Sequence, residues 1–291
     1  MKTISRRRFL ASVGAAGAAA ATYGTLIEPW RLEVTRHQVG TRTAEAREPL
    51  VLAQVTDLHI HGIRHVHHAI AARLAQIRPH AILLTGDSVD DPADLPVLDR
   101  FLALLDPRTP KYAILGNWEH WARVDRGELA GVYARHGGRL LVNETVVHAH
   151  AGRRLGITGL DDMVGGAPEL RGALTGAEPA HARLLLAHSP GYRDRLADDA
   201  APASAAGARV SGGVEAQAAE FRAMLSGHTH GGQVAFFGWA PMLPPGSAGY
   251  VRGWFRGGSK VPLYVSRGIG ESVLPVRLGS VPELAIHTVW V

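Results

Sequence analysis

Asp57 and His59, Asp87, Asn117, His188, and the pair His228 and His230 stand out because each sits just after a short apolar run, where a side chain can hold a metal. The runs are Val51–Thr56, Ala81–Thr85 followed by Gly86, Tyr112–Leu115, Leu184–Ala187 and Ala223–Ser226. One apolar run that stops at a polar residue is only a chain leaving its core. Five that stop on Asp, His or Asn form a pattern. Imidazole with oxygen donors suits zinc, iron or manganese better than calcium. The chain has no cysteine, which excludes disulfides, thiolate sites and a cysteine nucleophile.

Short apolar runs of this kind read as buried strands, and ligands in open α/β folds gather beyond the carboxyl ends of strands. If the five strands lie parallel, their ends share one crevice. In Asp57-Leu58-His59 the i, i+2 spacing turns carboxylate and imidazole to one side while Leu58 faces the other. Asp90, three residues after Asp87, reads either as a carboxylate that holds a neighbouring imidazole or as a helix N-cap. His61, His65, His67 and His68 precede or open an amphipathic helix that ends before Pro79, and they read as a wet helix face or loop rather than as ligands. Helix over Leu95–Leu105, then strand, continues a βαβ rhythm that favours parallel pairing.

The remainder supplies less chemistry. Trp30 to Val39 reads as an edge strand, and the runs between Leu141 and Asp162 as strands of a second sheet. Asp161 and Asp162 read as turn residues that bond locally. Residues 197–219 are a low-complexity stretch to which no chemistry is assigned. The aromatic- and proline-rich stretch from Gly238 to Gly258 reads as a packed long loop, with a substrate rim or a lipid contact as the alternatives.

At 291 residues, 46% hydrophobic and 20% charged, the chain can bury one large core. Four of its five net positive charges lie at Lys2, Arg6, Arg7 and Arg8, so no specific nucleic-acid partner is expected. Ser5-Arg-Arg-Arg-Phe-Leu10 followed by an alanine-rich run to Ala21 resembles a twin-arginine (Tat) export signal. That run is short for a membrane span. Residues 1–29 are therefore read as signal and spacer and 30–291 as one domain, with an extracytoplasmic destination (periplasm or cell envelope), cleaved or membrane-anchored. Tat carries folded proteins, which suits a chain that loads its metal before export.

Taken in order, Asp57-x-His59, Gly86-Asp87-x-x-Asp90, Gly116-Asn117-x-Glu119, His188 and Gly227-His228-x-His230 resemble the signature of the calcineurin-like metallophosphoesterases. Tyr264 to Gly270, Pro275-Val-Arg277 and Pro282-Glu283 are similar to an exported YkuE/YaeI-like branch of them. The resemblance covers roughly residues 50–291. It implies an α/β fold, a four-layer α/β/β/α sandwich with two mixed sheets and the metals at its strand ends. It also implies two divalent metal ions (Mn, Zn or Fe): one on Asp57, His59 and His230, one on Asn117, His188 and His228, with Asp87 bridging. Trp118 stands where the family usually places a histidine; His120 is either the replacement that assists the leaving group or a surface histidine, with the metals alone stabilising the leaving oxygen. The activity implied is hydrolysis of a phosphodiester or pyrophosphate by a metal-bridged hydroxide. The partners expected are a phosphorylated small-molecule or lipid-linked substrate, the Tat translocase during export, and proximity to a membrane. The alternative is an envelope metal-binding protein with little turnover, for which Trp118 is the motive.

Overall fold

The computed structural model describes residues 5–42, 49–200, 221–236, 239–257 and 261–291, without the side chains of 197–200. The stretch 197–219 therefore lies almost wholly outside the described residues. The chain opens with α1 (Arg6–Leu26) and β1 (Glu33–Val39). β2 (Leu50–Val55), α2 (His65–Ile77), β3 (Ala81–Thr85), α3 (Leu95–Leu102) and β4 (Lys111–Ile114) then alternate as the βαβ rhythm requires. α4 (Asn117–Trp121), α5 (Arg126–Arg135) and β5 (Gly138–Leu140) complete the first half. The second half runs β6 (Glu144–His150), β7 (Arg153–Gly159), α6 (Leu170–Leu174), β8 (Ala182–Leu186), α7 (Tyr192–Ala200) and β9 (Phe221–Ser226). It ends with β10 (Gly253–Phe255), β11 (Leu263–Val265) and β12 (Glu283–Val289).

Two six-stranded mixed sheets result, in the orders β1-β12-β2-β3-β4-β5 and β10-β11-β9-β8-β7-β6. β2 to β5 are mutually parallel, as are β7, β8, β9 and β11. β12 runs antiparallel to β2 and parallel to β1, which is the edge strand expected. The chain therefore enters the first sheet at the end where β2, β3 and β4 leave it.

The unbroken apolar runs are explained by layers on both sides of each sheet. In β3, Ile82 and Leu84 pack under α2, α3 and α5 with Ile70, Phe101 and Tyr133. The alternate residues Ala81 and Leu83 meet Leu155, Leu184 and Leu225 of the other sheet. Leu185 and Met224 face away from that interface, towards Leu174 and Tyr192 of α6 and α7. Three apolar interlayers thus make the four-layer α/β/β/α sandwich.

α1 is longer than the Ala11–Ala21 run. Its N-terminus is capped by Ser5, which accepts from Arg8 N–H, and Thr22 and Thr25 donate back to the carbonyls of Ala18 and Ala21. Those hydroxyls are satisfied inside the helix, so they do not end it. The resulting helix is long and apolar enough to cross a membrane, as a signal or an anchor would be.

Candidate metal centre

Five strand ends converge. β2 and β3 are in register to Val55↔Leu84, β3 and β4 to Thr85↔Ile114, and β8 and β9 to Leu186↔Leu225, so their C-terminal loops start at nearly common levels. Asp57, His59, Asp87, Asn117, His188, His228 and His230 are all buried there. Asp57, His59 and His230 form one group able to hold a metal ion, and Asp87, His188 and His228 form a second. Asn117 opens α4 beside Asp87 and His228 in the same hollow.

The contact distances fit ligands around shared ions. His59 Nε2 lies 3.1 Å from His230 Nε2 and 3.7 Å from Asp87 Oδ2; His188 Nε2 lies 3.0 Å from Asp87 Oδ2, and His230 Nε2 3.5 Å from Asp57 Oδ1. Ligand atoms about 2.1 Å from one ion, at tetrahedral to octahedral angles, stand about 3.0–3.4 Å apart. Asp57 Oδ2, Asn117 Oδ1 and His188 Nε2 are buried without a hydrogen-bond partner, a costly condition that an ion relieves.

Each imidazole is also aimed from behind. His188 Nδ1 donates to Thr85 O (2.8 Å), His228 Nε2 to Pro245 O (2.6 Å) and His230 Nδ1 to Gly270 O (3.2 Å). His59 Nδ1 faces Asp90 Oδ2 at 3.4 Å. The outer nitrogens of His188, His228 and His230 are thereby committed, and Asp90 stands behind that of His59, which leaves the inner nitrogens for the site, the arrangement metal-ligating histidines require. Asp90 is the carboxylate behind an imidazole rather than a helix cap.

The electrostatics ask for positive charge. Burial pushes the Asp57 carboxyl up, and Asp87 adds to that push. Burial opposes charge on Asp87 as well, yet His188, His59 and the Trp118 N–H hold its carboxyl well below the usual range. His188 is raised well above its ordinary value by Asp87 against the pull of burial, so in the bare chain a proton balances the carboxylates. Burial, His59 and Arg277 keep His230 neutral, and burial and His188 lower His228. Asp87, His228 and His230 are thus shifted towards the forms metals take, carboxylate and neutral imidazole, whereas His59 and His188, raised against burial by the carboxylates, would give up a proton to an ion.

The backbone is bent to the purpose. Asp57, His59, Asp87, His228 and His230 all have positive φ, between 39° and 75°. Asp and His are among the residues that tolerate this region, at about 1–2 kcal/mol each. Gly86 has φ 94°, and a Cβ there would lie 2.5 Å from His188 Nδ1; at Gly116 it would fall onto Asp87 Oδ1. Glycine is what lets those loops close on the site.

Other residues have placements the sequence did not disclose. Glu119 accepts N–H groups from Gly116 (2.8 Å), Ser88 (2.6 Å) and Asp87 (3.1 Å), tying together the loops after β3 and β4. Burial and the nearby Asp87 push its carboxyl up to about 7. Arg277 is fully buried; it donates to Arg267 O and Ser280 O, and its Nη2 lies 3.3 Å from His230 Nδ1. A lone arginine between Pro275 and Pro282 was the available signal. His67 is buried and accepts from Arg64 N–H at the start of α2, whereas His61 stays exposed beside Asp90 and Asp94. Only His65 and His68 form the wet face.

His120 Nε2 pairs with Asp161 Oδ1 at 2.6 Å, and this contact raises its pKa. It lines a hollow with Arg123 and Arg126, while Trp118 and Trp121 line the mouth over Asp87 and His228. Asp162 accepts N–H groups from Val164 and Gly165, a turn role as expected, and also takes a hydrogen bond from Ser189. Asp161 accepts from Ala167 and pairs with Arg126 besides His120. The mouth itself is a hollow of about 390 Å³ whose walls are mostly apolar, with Met242, Pro244, Val273 and Leu274 facing the metal ligands.

Residues 50–232 match the family described as calcineurin-like phosphoesterase. The chain is 27% identical to the metallophosphoesterase YkuE of Bacillus subtilis (strain 168), covering 99% of this chain and 98% of that one. It is 29% identical to the phosphodiesterase YaeI of Escherichia coli (strain K12), covering 97% and 98%. Among solved structures, a 5'-nucleotidase precursor from Thermus thermophilus aligns with a TM-score of 0.44 at 15% identity, over 76% of this chain and 49% of that one.

Proposed function

The chain belongs to the calcineurin-like phosphoesterase family of metal-dependent phosphoester hydrolases, and we propose that it cleaves a phosphodiester or pyrophosphate at a dinuclear centre. The observation that carries this reading is the pair of buried ligand groups, linked by the 3.7 Å approach of Asp87 to His59, with Asp57, Asn117 and His188 each carrying a buried atom that has no hydrogen-bond partner. Asp57, His59 and His230 would hold one ion, Asn117, His188 and His228 the other, and Asp87 both. Two such ions supply a Lewis-acid clamp on phosphoryl oxygens and a hydroxide nucleophile at neutral pH. Their identity among manganese, zinc and iron is left to metal analysis.

The chain's own groups do the rest. Asp90, Thr85 O, Pro245 O and Gly270 O keep the imidazoles aimed. Arg277 and Glu119 hold the loops that carry His230 and Asp87. His120 is assigned the proton for the leaving oxygen: Asp161 raises its pKa, which favours the protonated form a general acid needs, and donation requires it to turn from Asp161 and out of the separate hollow it lines with Arg123 and Arg126. The apolar mouth favours a substrate with an apolar portion next to its phosphorus, which agrees with a lipid-linked phosphodiester. α1, headed by Arg6 and Arg7, supports twin-arginine export to the periplasm or cell envelope.

The test is turnover of a chromogenic phosphodiester with added manganese. Activity that follows the purified chain and disappears in His188→Ala supports the reading. A metal-loaded chain with no turnover on diesters or pyrophosphates sustains instead the rival, a metal-binding protein whose Trp118 has displaced the usual histidine. Lysine at Arg6 and Arg7 tests export: secretion that persists without the Tat translocase refutes it.

A further inference from the structure

Thirteen large apolar side chains are exposed among the described residues, and twelve of them fall into two sets. Phe9, Leu10, Val13, Leu26, Ile27 and Trp30 belong to α1 and its exit. Trp121, Phe236, Trp239, Met242, Val273 and Leu274 ring the mouth of the metal centre or the loops that shape it. Leu104 alone lies elsewhere, after α3 and at the far end of the first sheet. Scattered exposed apolar residues need no explanation, but a contiguous rim does.

The two sets are joined. Because β1 runs against β2, α1 enters the sandwich at the same end as the metal centre. Its last turn is fixed to the loop that supplies Val273 and Leu274: Arg277 N–H donates to Gly24 O (2.9 Å), and a Cβ on Gly24 would touch Val276. Glu28, 2% exposed, then accepts N–H groups from Ser280 (2.5 Å) and Gly279 (3.0 Å). A helix of 21 residues is about 32 Å long, close to the hydrocarbon thickness of about 30 Å, and Trp30 at its exit is the residue type that settles at a membrane interface.

We propose that α1 is retained in the bilayer as an anchor and that the apolar rim of the metal-centre mouth rests on that bilayer's surface, so that the site opens onto lipid. Both sets of apolar side chains then meet one solvent, and the rigid joint at Gly24 and Glu28 fixes the orientation. Apolar faces that lie on membranes sink about 5–10 Å into the headgroup boundary, enough to cover Met242, Val273 and Trp239. A substrate held by its apolar part in the membrane would reach the metals without leaving it. The proposal rests on the export reading for α1 but not on turnover.

The absence of native cysteine makes the test direct. The full chain carrying Val13→Cys, Met242→Cys, Val273→Cys or Leu104→Cys is labelled with an environment-sensitive fluorophore. It is then reconstituted into phosphatidylethanolamine–phosphatidylglycerol vesicles containing a lipid-borne quencher. Labels at 13, 242 and 273 are expected to be quenched severalfold more than the label at 104. Quenching at 13 with 242 and 273 no different from 104 overturns the orientation and leaves the anchor standing. No quenching at 13 removes the anchor and the proposal together. A response at 273 that follows protein concentration rather than quencher lipid assigns the rim to a second copy of the chain, which also overturns it.

Discussion

Asp87 is ringed by His188 at 3.0 Å, His59 at 3.7 Å and the Trp118 N–H at 2.9 Å, all around a carboxylate 1% exposed. Asp87→Asn keeps the shape and removes the charge that two neighbouring dications share. The folded variant is expected to hold fewer than two metals per chain and to lose turnover; two metals with undiminished turnover would falsify the bridging role. Asp90 acts one step back, through His59 Nδ1, and such outer partners typically matter 10–100-fold in metal affinity. Asp90→Asn is expected to weaken metal binding by about that factor in calorimetry, with the fold intact. These candidate ligands were legible because five apolar runs all stop on Asp, His or Asn, a repetition that chains merely leaving a core do not produce. Glu119 and Arg277 were not legible as supports, since their partners are mostly main-chain groups, which leave no residue-type signature in the sequence.

At the scale of elements, α2 shows what periodicity conceals. Its apolar stripe located the helix, but nothing in a run of four histidines says which one turns inward. His67 does, and its Nδ1 accepts the Arg64 N–H at the helix start, which requires a neutral ring. Burial, then Arg64 and His68, lower its pKa to about 4. His287 of β12, fully buried with its Nε2 donating to Gln54 Oε1, is lowered to about 3 by burial and then His37. Both folded-state values lie below the ordinary 6.5, so the unfolded chain binds the extra protons. The stability is whole above pH 6.5 and is lost as pH falls below it towards 4. At pH 5 each ring should have cost on the order of 2 kcal/mol. Denaturant titrations of the wild type at pH 7 and pH 5, beside His287→Gln, check this. The variant should lose clearly less stability over that interval, and equal losses would remove His287 from the account.

For the molecule as a whole, the four layers were implied by the family resemblance, whereas the apolar runs themselves gave only buried strands and the parallel rhythm their common exit. The apolar rim did not follow, because Val273 and Leu274 look like core residues in sequence and only the loop around Arg277 turns them out. One consequence belongs to this scale. The fold holds five candidate ligand residues at positive φ, buries Asp57 and Asp87 together and leaves four polar atoms of the candidate ligands without hydrogen-bond partners. The unfolded chain bears none of these costs, so a metal that binds only the folded state should raise its stability. With free metal at 100 times the dissociation constant the gain is about 2.7 kcal/mol per ion. At about 2–4 °C per kcal/mol for a chain of roughly this size, that corresponds to a rise of about 5–10 °C per ion. Thermal melts with chelator and then with graded manganese or zinc measure it directly. Asp87→Asn, which removes the charge that pairs with His188, should melt lower than wild type in chelator and gain less from added metal. A wild-type melt indifferent to both chelator and metal would mean that the buried carboxylates are compensated within the chain itself.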